Sequence, residues 1–150
     1  MAPRPPRPLM SAFSTTAEEK KALRKALRAQ LSAMTAQALQ AGDQALFAAF
    51  LALPQVQQAQ TLFLFWGVPG REPDTASLVR ELAERGKRVG LPRMLPGHQM
   101  EVRLYEPDRE LIPASFGIWE PSQDAPLLSP DEIDLTLVPA LCYDRSCVRL

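Results

Sequence analysis

The chain has 150 residues, enough for about one domain, and its 17 Lys+Arg balance its 17 Asp+Glu. That balance leaves no bulk field to attract nucleic acid or an anionic membrane surface. An apolar content of 46% suits a packed soluble domain, and no run approaches the roughly 18 apolar residues of a membrane-spanning helix.

Met1 to Ala17 is rich in Pro and basic at its start, and lacks an apolar signal-peptide core. A disordered tail is expected over 1–17, with Met10 as an alternative start and a transit peptide as a further option. The folded α/β domain is expected over 18–150. From Glu18 to Met34 a helix is predicted, because Leu23, Leu27, Leu31 and Met34 form one apolar stripe. Lys20, Arg24 and Arg28 form a second line at i, i+4 and i+8. That line is either the solvated face of an amphipathic helix or a set of phosphate contacts. Thr35 suits the N-cap of a second helix over 36–53, with Leu39, Leu46, Ala49, Phe50 and Leu53 apolar and Pro54 at its end.

Thr61 to Trp66 is short, apolar and aromatic, which predicts a buried strand. It feeds a loop over 67–73, and Asp74 or Thr75 caps a third helix that ends at Gly86. Lys87 to Arg93 is the next strand. Strand, helix and strand of this length predict two parallel strands joined by a right-handed crossover. Leu95 to His98 is a turn, and Met100 to Tyr105 alternates like a half-exposed strand. A long Pro-rich loop over 106–129 follows, of the kind that is often functional. Leu135, Leu137 and Val138 form a last short strand, and Pro139 ends its pairing. Ligands of open α/β sheets bind beyond such strand ends.

Four features could carry chemistry. Glu72 is either a first-turn acid favoured by a helix dipole or an acceptor for an amine-bearing heterocycle. The Gly117 to Pro121 stretch is either a packed loop or a site loop, Asp144 is an acid placed to meet a cation or phosphate site, and Arg149 is a cation at the chain's end. His98, beside a Pro-Gly turn, suits a solvated surface role. The chain has no Walker loop, no GxGxxG and no nucleophile elbow. Cys142 and Cys147 are too few for a disulfide framework, and with one His a zinc site is not expected. Two reduced thiols in a cytoplasmic protein are the expected state, with a small-loop disulfide as the alternative.

Taken in order, Lys20-Lys21-Ala22-Leu23-Arg24, Glu72-Pro73-Asp74-Thr75, Leu91-Pro92-Arg93, Met100, Gly117-Ile118-Trp119-Glu120-Pro121, Val138-Pro139, Tyr143-Asp144 and Arg149-Leu150 resemble the 5-formyltetrahydrofolate cyclo-ligase (5,10-methenyltetrahydrofolate synthetase) family. The resemblance implies an α/β fold with a Rossmann-like, mostly parallel sheet flanked by helices. It implies a monomeric enzyme that uses ATP and Mg²⁺, with no nucleic-acid or membrane partner, and that converts 5-formyltetrahydrofolate to 5,10-methenyltetrahydrofolate. By resemblance Lys20, Arg24 and Arg149 contact ATP. Glu72 contacts the folate, and Trp66 or a neighbour lines the same pocket.

In the family, Arg-Leu leads into a glycine-rich phosphate loop, an acid that holds Mg²⁺ and further elements. The metal ligands are therefore expected beyond Leu150. A C-terminally truncated chain with little or no turnover is the expectation, because one lost phosphate donor already costs about 10²-fold. The alternative function is a catalytically inactive α/β domain that binds folate or nucleotide, and a third is a nucleotide-binding regulator. Cys147 and Ala140 stand where the family has Gly; at Cys147 this is costly if the backbone needs φ > 0.

Overall fold

The computed structural model describes residues 17–150. The expected tail over 1–17 therefore lies outside the described residues, except for Ala17. Helix α1 (Ala17–Ala33) and helix α2 (Ala36–Leu51) follow the predicted ranges closely. Thr35 caps α2 as expected: its backbone is extended and its Oγ1 accepts from Ala38 N–H at 3.1 Å. Such a cap stabilises a helix by about 1 kcal/mol. Pro54 does not simply end α2. It opens a short helix, α3 (Pro54–Gln58), at the first turn, where its missing N–H costs nothing.

Strand β1 (Thr61–Phe63) enters the centre of the fold, α4 (Thr75–Glu84) crosses over, and β2 (Arg88–Leu95) returns parallel to it. Gly86 sits at φ +82 just past α4, the left-handed position that glycine takes at helix ends. Strand β3 (Gln99–Leu104) pairs antiparallel with β2 through the turn at Pro96–His98. The long loop contains more structure than its Pro content suggests. A two-residue hairpin, β4 (Ile112–Pro113) and β5 (Trp119–Glu120), precedes β6 (Leu127–Leu128), which joins the main sheet beside β3. Finally β7 (Leu135–Thr136) pairs parallel with β1. The five-stranded sheet has the order β6-β3-β2-β1-β7. It is mixed, with a parallel half around β1 and an antiparallel half around β3, and helices flank it. The α/β expectation holds.

The core lies between this sheet and the helices α3 and α4. Val56, Leu62, Leu64, Leu78, Val79, Leu82, Val89 and Leu91 are all buried there. Burying each such side chain contributes about 1.5–3 kcal/mol. By contrast α1 and α2 contain no fully buried residue. The α1 stripe is half-buried at Leu27 and Leu31 and exposed at Leu23 and Met34, so it borders clefts rather than the core. The last strand is likewise half-buried, because among the described residues β7 is an edge strand.

Polar clasps fix β7. Asp134 Oδ2 accepts from Gln60 N–H and Thr61 N–H, both at 2.9 Å. Arg88 at the start of β2 meets Glu132 at 3.2 Å. The Thr61 N–H bond, then that of Gln60, holds the Asp134 carboxyl below its ordinary value of 3.8, with Lys87 adding a smaller pull. A depressed carboxyl contributes stability above its unfolded pKa and loses it as pH falls through the folded pKa. Asp134→Asn is therefore expected to lower the urea midpoint at pH 7, with the gap to wild type closing as the pH drops below 3.8. A gap that stays constant from pH 7 into that acid range would contradict the clasp.

Candidate functional site

The site is built where β1 and β7 end side by side. Beyond β1 the chain runs through 64–74 in a loop locked by its own polar groups. Thr75, buried at the start of α4, accepts from Gly67 N–H at 2.9 Å and donates its hydroxyl to Phe65 C=O. Glu72 Oε2 accepts from Val68 N–H at 2.9 Å, while Arg71 and Glu72 N–H both reach back to Val68 C=O at 3.0 Å. From α2, Asp43 accepts Asp74 N–H at 2.9 Å. These bonds pair several of the loop's backbone groups and anchor the Glu72 side chain beside the cleft. Gly67 is required by contact: a Cβ there would collide with the Pro73 carbonyl.

Facing this loop is the stretch after β7. Leu137 N–H bonds to Phe63 C=O at 2.8 Å, which holds it alongside β1. Residues 142–150 then close a tight hairpin in which Tyr143 and Arg149 form a bridge. Asp144 is the centre of that hairpin: Oδ1 accepts from Ser146 N–H at 2.8 Å and Val148 N–H at 2.9 Å. Oδ1 thus serves the turn, and Asp144 is not among the residues that border the cleft, although its neighbour Tyr143 is. Tyr143 fixes the hairpin to its root by donating to Val138 C=O at 2.9 Å.

Between loop and hairpin lies a cleft of about 770 Å³. Arg28 and Leu31 of α1, Phe65, Val68 and Glu72 of the loop, Phe116 and Ile118, Leu137 to Leu141, Tyr143 and Arg149 border it. A second hollow of about 560 Å³ opens between α1–α2 and the other side of the same loop, sharing Glu72, Ala140 and Leu141. The size suits a drug-sized ligand. The first cleft carries one carboxylate from Glu72 and guanidinium groups from Arg28, Arg71 and Arg149 among largely apolar walls. Planar guanidinium donors match phosphate or carboxylate oxygens in pairs.

Of the residues singled out in the sequence, Glu72 and Arg149 come together on this cleft. Lys20 and Arg24 lie on α1, about two turns and one turn before Arg28, and are not on its wall. Arg28 was visible as the third member of that basic line. Trp66 is half-buried and turned elsewhere: its ring packs 6.0 Å from Tyr105, with Arg80 Cζ 5.4 Å from its centroid. Glu120 of the Gly-Ile-Trp-Glu-Pro stretch is buried and accepts from Met94 N–H at 3.0 Å, so it ties the loop to β2. Exposed His98 lies at the β2–β3 turn.

Among the described residues no three His, Cys, Asp or Glu side chains gather into a protein cage for a metal, whereas Mg²⁺ is commonly held by one or two carboxylates and the phosphates of its nucleotide. The cysteines are free, Cys142 half-buried and Cys147 exposed. Cys147 sits at φ +63, the left-handed region where glycine is favoured. Cys147→Gly is expected to raise stability by about 1 kcal/mol, read as a higher urea midpoint. An unchanged or lower midpoint would show that this turn carries no strain.

The sequence model of the 5-formyltetrahydrofolate cyclo-ligase family matches residues 16–150. A probable 5-formyltetrahydrofolate cyclo-ligase of Schizosaccharomyces pombe is 29% identical over 65% of this chain and 50% of its own length. The 5-formyltetrahydrofolate cyclo-ligase of Haemophilus influenzae is 31% identical over 67% of this chain and 54% of its own. That of Escherichia coli is 30% identical over 83% of this chain and 69% of its own. The chain thus spans about half the length of the first two of these relatives. Among solved structures, the 5,10-methenyltetrahydrofolate synthetase of Aquifex aeolicus superposes with a TM-score of 0.72 at 22% identity, covering 83% of this chain and 62% of that one. The enzyme of the same name from Mycoplasma pneumoniae gives 0.65 at 18% identity, covering 88% and 70%. At such identities the superpositions speak for the fold, and the matched residues speak for descent: the chain belongs to the 5-formyltetrahydrofolate cyclo-ligase family.

Proposed function

We propose that the larger cleft receives 5-formyltetrahydrofolate and ATP, and that it serves ATP-dependent closure of the folate to 5,10-methenyltetrahydrofolate. The observation that carries this is the pairing of Glu72 with Arg28 and Arg149 on one apolar cleft. A reduced pterin presents N–H donors that a carboxylate can accept, and a triphosphate presents oxygens that guanidinium groups can take. The 18–150 α/β domain would act as a monomer in the cytoplasm, where thiols such as Cys142 and Cys147 stay reduced.

In the proposed reaction the N5-formyl oxygen attacks the γ-phosphorus, an O–P bond forms, the bond to the β-phosphate oxygen breaks, and ADP leaves. N10 then attacks the activated formyl carbon, the phosphate departs with the formyl oxygen, and the N10 proton goes to solvent. Such chemistry needs positioning and charge neutralisation more than a nucleophile on the protein. Glu72 orients the pterin, because its other oxygen is already anchored by Val68 N–H. Arg28 and Arg149 offset charge that develops on the transferred phosphoryl group. Lys20 and Arg24, nearer the start of α1, extend the same basic line toward the distal phosphates, and Trp66 supports the loop from behind. Mg²⁺, which the family resemblance brings with ATP, would supply further neutralisation.

Thermal-shift and calorimetric titrations with 5-formyltetrahydrofolate and with ATP test the proposal, since a ligand that binds the native state raises its melting temperature. Stabilisation by both ligands is expected. Stabilisation by ATP with no response to the folate would favour a nucleotide-binding regulator, and no response to either would overturn the assignment of the cleft.

A further inference from the structure

Phe116 combines two unfavourable features with a place on the cleft. It is a bulky non-glycine residue at φ +62, it is 85% exposed, and it stands at the edge of the cleft described above. Left-handed backbone is disfavoured for a residue with a Cβ, and an aromatic ring left in water forgoes its burial. The next residue, Gly117, is also left-handed at φ +76. The turn at Ser115–Gly117 therefore holds the ring out in solvent while its backbone is pinned on both sides: Ala114 N–H bonds to Ile118 C=O at 2.8 Å and Ile118 N–H to Ser115 C=O at 3.3 Å. Outliers of this kind concentrate where a ligand supplies the missing contact.

We propose that Phe116 is a substrate-contacting residue whose ring stacks on a planar ring of the bound reduced folate and closes that end of the cleft. The inference rests on the folate assignment of the cleft and deepens it. Geometry selects the folate over the adenine of ATP. A Cβ built on Gly117 would lie 4.0 Å from Val68 Cγ1, so the turn abuts Val68, and Val68 N–H is the group bonded to Glu72. Phe116 is thus on the carboxylate side of the cleft, where the pterin is assigned. Stacking on an aromatic side chain tolerates variation in ring substituents. The site is therefore expected to accept several reduced folates that differ at N5 and to discriminate poorly among them through this contact.

The test uses the full chain and calorimetric titration with 5-formyltetrahydrofolate and, separately, with ATP. Phe116→Ala is expected to weaken folate binding by about 10-fold and to change ATP binding by less than about 2-fold. Phe116→Tyr keeps the ring and is expected to bind folate like the wild type. Phe116→Gly relieves the backbone, so it should raise the melting temperature while weakening the folate as Phe116→Ala does. A purely structural role would move stability and affinity down together. Wild-type folate affinity in Phe116→Ala would overturn the stacking role and leave the cleft assignment standing. An equal loss for ATP would place the ring on the nucleotide and overturn the folate assignment of this residue. Failure of the wild-type chain to bind folate would overturn both.

Discussion

Glu72→Ala is expected to weaken 5-formyltetrahydrofolate binding by about 100-fold and Glu72→Gln by about 10-fold, with ATP affinity nearly unchanged. Hydrogen bonds to a charged partner contribute about 1.5–3 kcal/mol, which corresponds to roughly that range. The alanine variant loses both the acceptor for the pterin and the bond from Val68 N–H that fixes the loop. The glutamine variant keeps a carbonyl that can still accept from Val68, so the loop stays in place and mainly the charge is lost. The ordering of the two variants separates the roles of Glu72. If both bound the folate as the wild type does, the pterin would not be held by this carboxylate. If both lost folate and ATP equally, the effect would come from collapse of the loop rather than from a contact.

The largest expected loss of stability is at Gly67. An alanine Cβ there runs into the Pro73 carbonyl, a backbone atom held in place by the same short loop that Thr75 closes. Relief would require moving the chain that carries Glu72. Gly67→Ala is expected to cost about 3 kcal/mol or more, at the upper end of overpacking effects. Gly90→Ala provides the comparison. Its Cβ meets side-chain atoms of Val102 and Leu128, which can rotate or shift, so about 1–2 kcal/mol is expected. Gly42 lies inside α2 with nothing within 4 Å, and Gly42→Ala should stabilise the helix by up to about 1 kcal/mol. Urea unfolding of the three variants checks the order. Equal costs at Gly67 and Gly90 would mean that the Glu72 loop yields easily and does not preorganise its carboxylate.

Much of the architecture was legible because its signals are periodic or local. The Leu27–Leu31 stripe marked α1, Thr35 marked the start of α2, and Gly86 marked the end of α4. The strand-helix-strand spacing gave the parallel pair β1 and β2. What stayed hidden was too short to have a period. The pairs Ile112–Pro113, Trp119–Glu120 and Leu127–Leu128 are strands only because a partner lies alongside, and Pro residues around them suggested a plain loop. Pro54 was visible as a helix stop, and its second use as a helix start depends on the following turn packing Val56 into the core. At the site, ordered short motifs drew attention to Glu72 and Arg149. Sequence order could not reveal that Asp144 would turn inward to its own hairpin or that Trp66 would pack on Tyr105. Nor could it reveal Phe116, whose signal is a backbone angle.

The most direct measurement is a crystal structure of the chain with 5-formyltetrahydrofolate bound. The expected result is a pterin within hydrogen-bond distance of Glu72, a planar ring against Phe116, and the cleft between the 64–74 loop and the 142–150 hairpin filled. A folate bound away from Glu72, with that cleft left to solvent, would contradict the assignment.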